Sequence, residues 1–126
     1  MLSRCRYAVL ATARPDGRPH AAPIAFLVLH GVFWIGTVEG VRLRNLRARP
    51  WGSLVVMEGE ADVGEQGAPH RAVTLEGPVT LHEGDDFEPA WRRLEDRWLA
   101  RFGHAPDWAV ALIELTPRRL YSHSAS

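Results

Sequence analysis

The segment Phe33 to Pro50, FWIGTVEGVRLRNLRARP, constrains the fold most tightly. Phe33 to Thr37 is an apolar run that suits a strand. Glu39-Gly40 marks a turn, and Leu43 and Leu46, three apart, then share one side of a short helix. Pro50 ends that helix, because proline disfavours the α conformation in the residue before it. Arg42, Arg44, Arg47 and Arg49 line the rest of the helix against one nearby acid, Glu39. Arg42 falls in the first turn, where the helix dipole favours an acid over a base. Two readings stay open: a solvated basic face, or a seat for an anion at the helix N-terminus.

The chain on either side reads as short strands. Tyr7 to Ala13 is one, followed by the turn Arg14-Pro15-Asp16-Gly17-Arg18, in which Pro15 presets φ and Gly17 accepts a positive value. Ala21 to Leu29 is a second, apolar on both faces and so expected to be buried on both. Pro23 removes a ladder donor from it and marks an edge or a bulge. His30-Gly31 turns tightly into the strand Val32 to Thr37. Gly52 to Glu58 is a further strand, and Glu58 to Pro69 a loop rich in Gly and acids. Arg71 to Leu81 alternates, with Val73, Leu75, Val79 and Leu81 on one face, and Gly77-Pro78 bends it in the middle.

Asp86 to Phe102 has the strongest helical pattern. Phe87, Trp91, Leu94, Trp98 and Phe102 form one stripe, a packing face rather than a cofactor box. Asp86 is the expected N-cap and Gly103 the stop. Trp108 to Leu115 is the last long strand, and Leu120 to His123 a short final one. About six bulged, hairpin-linked strands with inserted helices predict a mainly β (α+β) architecture: a six-stranded antiparallel barrel with peripheral helices.

At 126 residues the chain forms a single domain, residues 1–126. Formal net charge is zero, so no bulk field draws it to nucleic acid or an anionic membrane. All 15 basic residues are Arg. The single cysteine, Cys5, cannot form an intramolecular disulfide, which fits a cytoplasmic location. No apolar run is long enough to span a membrane. Catalytic and metal motifs are missing: no G-x-S-x-G, H-E-x-x-H, C-x-x-C, P-loop or G-x-G-x-x-G is present, and the six histidines are scattered.

Thr37, Gly40, Arg42, Arg44-Asn45-Leu46-Arg47 and Pro50, with the hairpin ATARPDGRPHAAPIAF from Ala11 to Phe26, resemble the flavin-binding split β-barrel family related to pyridoxamine 5′-phosphate oxidase. The resemblance runs from about Tyr7 to His123. It implies a split barrel carrying FMN, or alternatively the deazaflavin coenzyme F420, and an oxidoreductase that passes a hydride between the cofactor and a small organic substrate. It implies that Thr37 and Arg42 hold the cofactor phosphate with help from Arg44. It also implies that Pro23, Ile24, Ala25, Ile35 and Gly36 face the ring, with His20 at the pocket rim. A homodimer with the cofactor between subunits is expected on the same grounds. Five tryptophans in so small a barrel point the same way, because they cannot all be buried in one core. No catalytic side chain is assigned.

The chain departs from the family pattern in places. Val41-Arg42 stands where a basic pair is usual, and Ala21-Ala22 where the oxidases carry a base. Their C-terminal Arg-x-His motif is not in its setting, which argues against pyridoxine phosphate as substrate. The alternative is a non-catalytic cofactor- or ligand-binding protein on the same barrel.

Overall fold

The computed structural model describes residues 7–57 and 71–124. The expected loop Glu58 to Pro69 lies outside them. The strands are β1 (Tyr7–Ala13), β2 (Pro19–Ala25), β3 (Leu27–Leu29), β4 (Val32–Thr37), β5 (Trp51–Met57), β6 (Arg71–Glu83), β7 (Ala111–Leu115) and β8 (Arg119–Ser124). Helix α1 (Val41–Ala48) follows β4, and α2 (Phe87–Phe102) follows β6 through the 3₁₀ turn Gly84–Asp86. The sheet runs β2-β1-β5-β6-β7-β4-β3, with β8 also on β6, and every pairing is antiparallel.

The sheet has eight strands where six were expected. The difference arises because the run Ala21 to Leu29 is broken in two and the short final segment forms a strand of its own, β8. Ala21 to Leu29 divides at Phe26: β2 pairs with β1, and β3 pairs with β4. Those two strands end the sheet order, so the single residue between them brings its two ends together and the sheet curls into a split barrel. Likewise β7 and β8 lie in succession along β6, partnering Val79 to Glu83 and Arg71 to Glu76 respectively. The break at Thr116-Pro117 wraps Gly77: a Cβ there would fall on the Thr116 carbonyl oxygen. Glycine is thus required by close backbone approach, at the bend the sequence marks.

Pro23 sits on β2, which among the described residues has a strand partner on one side only, the edge setting in which a residue without an N–H is accommodated. Burial on both faces is not what this run shows. Ala21 and Pro23 are exposed, and only Ile24, Phe26 and Leu27 are buried. At the β3–β4 turn His30 and Gly31 both take positive φ, 52° and 78°, the geometry that matches strand twist in a tight hairpin.

Two apolar clusters hold the molecule together. Leu10, Phe26, Ile35, Leu54, Leu75 and Ile113 belong to the cluster that fills the barrel, and Leu46 of α1 joins it from one end. Outside, Trp91, Leu94 and Trp98 of α2 pack on Leu27, Trp34 and Leu112. Trp91 and Trp98 meet edge to face at 6.1 Å. Phe87 and Phe102, at the ends of the stripe, are only partly buried. Gly103 stops α2 in the left-handed conformation, donating to the Leu99 carbonyl at 2.9 Å. Asp86 does not cap α2: its backbone is already helical, as the last residue of the 3₁₀ turn, and its carboxylate makes no capping bond.

Trp108 is a further departure. The strand starts at Ala111 rather than Trp108, because the ladder with β4 ends at Thr37–Ala111 and a turn over Pro106 precedes it. Trp108 is half-exposed and lies edge-on over Gly36, where a Cβ would come within 3.2 Å of its ring. Among the described residues no helix is long and apolar enough to cross a membrane.

Candidate functional site

Helix α1 is eight residues long and unusually bare at its start. Gly40 precedes it in an extended conformation and supplies no side-chain cap, and the first turn holds no acid. The first backbone bond is Arg44 N–H to the Gly40 carbonyl at 3.1 Å. The N–H groups of Val41, Arg42 and Leu43 therefore have no acceptor within the helix. A bare N-terminus with a positive dipole end attracts anions.

Arg42 is aimed at the end of β4. Its Nη1 donates to Thr37 Oγ1 at 3.2 Å. Thr37 is buried, and its hydroxyl donates in turn to the Val38 carbonyl at 3.1 Å. Arg42 is half-buried, and its Nε is shielded from solvent with no hydrogen-bond partner. Burial pushes the guanidinium below its ordinary pKa, since no carboxylate opposes the desolvation. A half-buried cation with an orphaned donor beside free backbone N–H groups is the environment an anion satisfies.

The lower half of α1 is fastened. Leu43 and Leu46 are buried. Asn45, also buried, donates from Nδ2 to Thr12 Oγ1 of β1 at 3.0 Å. Arg49 donates to the Pro15 carbonyl of the first hairpin at 3.0 Å. Arg47 holds Glu39 through two bonds of 2.9 and 3.0 Å, and Glu83 through bonds of 2.7 to 3.3 Å. Both carboxyls are held below their usual range, chiefly by hydrogen bonds from Arg47. The Arg44 side chain is exposed and makes no hydrogen bond or ion pair among the described residues.

Of the residues expected to hold a cofactor, Thr37 and Arg42 come together. Pro23 and Ala25 share the outer face of β2, exposed and half-buried. Ile24 and Ile35 point into the barrel core, so only their backbone is left for a ligand. Gly36 lies beneath Trp108. His20 faces Thr12 across the β1–β2 ladder, and its Nδ1 is buried without a partner. A shallow apolar cleft of about 280 Å³ lies close by, lined by Ala11, Thr12, Ala13, Arg49, Trp51 and Ser53.

Three polar pairings were not foreseen. Glu83 reaches Arg47 across 36 residues, and nothing in either segment signals it. Asn45 did carry a signal: an Asn in a short helix is a weak helix former and invites a specific partner. His82 Nε2 meets Glu114 Oε1 at 2.8 Å on the outer face of the barrel, where the ring also stacks on Trp34 at 5.3 Å.

The model of the pyridoxamine 5′-phosphate oxidase family matches residues 1–124. The chain belongs to that family. No curated protein matches it. Solved structures of similar fold include an F420 reductase, 21% identical with a TM-score of 0.70, over 95% of this chain and 92% of that one. HutZ, the heme storage protein from Vibrio cholerae, is 22% identical with a TM-score of 0.76, over 92% of this chain and 84% of its own. An FMN-binding protein from Nostoc punctiforme, related to pyridoxamine 5′-phosphate oxidase, is 17% identical with a TM-score of 0.65, over 94% and 74% of the two chains. At such identities these likenesses establish the split-barrel fold that the family shares. The resemblance seen in Thr37, Gly40 and the NLRARP run extends to the whole barrel.

Proposed function

We propose that this member of the pyridoxamine 5′-phosphate oxidase family binds a phosphate-bearing flavin, FMN, and serves as an oxidoreductase toward a small organic substrate. The observation that carries the reading is Arg42: half-buried, with a solvent-shielded Nε that has no partner, beside a helix start free of acids. Thr37, Arg42 and the N–H groups of Val41 to Leu43 would hold the phosphate. When bound, the flavin supplies the hydride chemistry, and the protein supplies position and field. Pro23 and Ala25 offer the accessible side-chain surface of β2 for the ring, and Ile24, Ile35 and Gly36 would contribute backbone only.

FMN is favoured over coenzyme F420 by what the other arginines do. A tail with several carboxylates calls for a basic groove leading from the phosphate. Arg47 is taken up by Glu39 and Glu83, and Arg49 by the Pro15 carbonyl. Arg44 alone is left to meet such a tail.

A second reading, a binding protein without turnover, draws on Val41. It stands where a second base is usual, so one guanidinium serves the seat. Titration of FMN, riboflavin and coenzyme F420, read by quenching of flavin fluorescence, tests the binding reading. Tightest binding of FMN is expected; absence of binding by all three would overturn it. Reoxidation of the reduced, FMN-loaded protein by a panel of small organic acceptors then separates the enzyme from the binding protein.

A further inference from the structure

Glu39 poses a problem for an anion seat at α1. It directly precedes Gly40, and its carboxylate lies near enough for the Gly40 N–H and Arg44 to help lower its pKa, behind the larger effect of Arg47. A carboxylate at that point is itself a fitting ligand for the bare helix start. Swung toward Arg42, it would cap the N–H groups and pair with the guanidinium, filling the place of an incoming phosphate.

Arg47 holds it elsewhere. Its Nη1 and Nη2 take the two Glu39 oxygens at 3.0 and 2.9 Å in a fork, and Nε and Nη2 bind Glu83 at the end of β6. Arg47 stands about one and a half turns along α1 from Arg42, and Glu39 forms its ion pair there, while no carboxylate acts on Arg42. The side chains are 40%, 55% and 34% exposed for Arg47, Glu39 and Glu83. Ion pairs that open to water add little to stability. The planar fork fixes geometry more than it adds energy. Glu83 anchors the guanidinium from a different strand, so the clasp is tied to the barrel as well as to α1.

We infer that Arg47 is a positioning residue for the anion seat: with Glu83 as its anchor, it withholds the Glu39 carboxylate from the N-terminus of α1 and from Arg42. The inference rests on the phosphate-seat reading above and deepens it. The ligand class is a phosphate monoester, and Glu39 is its intramolecular competitor.

The test compares FMN with riboflavin, which shares the ring and lacks the phosphate. In the wild-type protein FMN should bind at least about tenfold more tightly, the worth of a charged hydrogen bond. Arg47→Met should cut that FMN-to-riboflavin ratio by about tenfold, with riboflavin affinity unchanged. Arg47→Met combined with Glu39→Gln should restore the ratio to within about threefold of wild type. A clasp that only steadied the fold would move both ligands together, and Glu39→Gln would not rescue it. If Arg47→Met does not fold, Arg47→Lys carries the test, since one ammonium cannot grip both carboxylates. A drop in its ratio, recovered by Glu39→Gln, supports the inference. A large wild-type ratio that neither Arg47 variant alters, or that Glu39→Gln does not restore, overturns this inference and leaves the phosphate seat standing. A wild-type ratio near one overturns both.

Discussion

At the scale of single residues, Arg42 is the cation of the anion seat. Arg42→Ala should weaken FMN binding by roughly 1.5–3 kcal/mol, the range for a hydrogen bond to a charged group. Titration calorimetry reads it directly. The ligand-free variant should be as stable as wild type or slightly more so, because an unfavourable contact with the helix dipole goes. Arg42→Lys should recover part of the affinity, having charge without the planar fork. Equal affinities in all three proteins would remove Arg42 from the site. A second residue-scale prediction concerns acid. Arg47 depresses the folded pKa of both Glu39 and Glu83 below 4.5. Their stabilising contribution is present above that value and lost as pH falls through the folded pKa values. Because the pairs open to water, the melting temperature should drop only slightly for this reason on acidification below pH 4.5, and Arg47→Met should show a smaller drop. That Thr37 and Arg42 belong together was legible only through the family motif, which carries both residues. The clasp was not, because Glu83 approaches through tertiary structure alone. Ile24 and Ile35 show a different limit. Their motif identifies the strands, but strand parity decides which way each side chain points, and here both point inward.

At the scale of elements, α2 is a packing helix. Trp98 is buried between Trp91 and Phe102, with ring centroids 6.1 and 4.7 Å away. Trp98→Ala should cost roughly 3 kcal/mol or more, seen as a lower urea midpoint, with FMN affinity retained. Normal stability with lost binding would reverse the assignment. The helix itself was readable from its 3.6-residue stripe, which no other local pattern imitates. Its start was misread at Asp86, because a preceding 3₁₀ turn leaves the residue no extended backbone from which to cap. The break at Phe26 was also invisible. An apolar run looks the same whether it keeps one neighbour or exchanges it for another, and only closure of the barrel demands the exchange.

For the whole molecule, one face of the barrel is left uncovered by the described residues. Helix α2 covers the β3, β6 and β7 side. On the other side Pro19, Ala21 and Pro23 of β2 are exposed, as are Trp51 and Met57 of β5, with Val9, Ala11 and Ala13 of β1 half-buried between them. Three of the five tryptophans are buried, and Trp51 and Trp108 remain 46% and 49% exposed. We expect this face to pair with a second copy, because soluble monomers seldom show a contiguous apolar sheet surface. Light scattering at micromolar concentration should give twice the 14.1 kDa of one chain; a species of 14.1 kDa alone would refute the pairing. The order of the strands has a consequence for synthesis on the ribosome. β4 pairs on one side with β3, its immediate predecessor, and on the other only with β7, residues 111–115. Until those residues emerge, the apolar strand β4 has an open edge, and among the described residues Val79 to Glu83 of β6 have no strand neighbour. A chain stalled before Ala111 thus offers sticky, unpaired strands to any other nascent chain nearby, and the interval before that residue appears is when a holding chaperone would matter most.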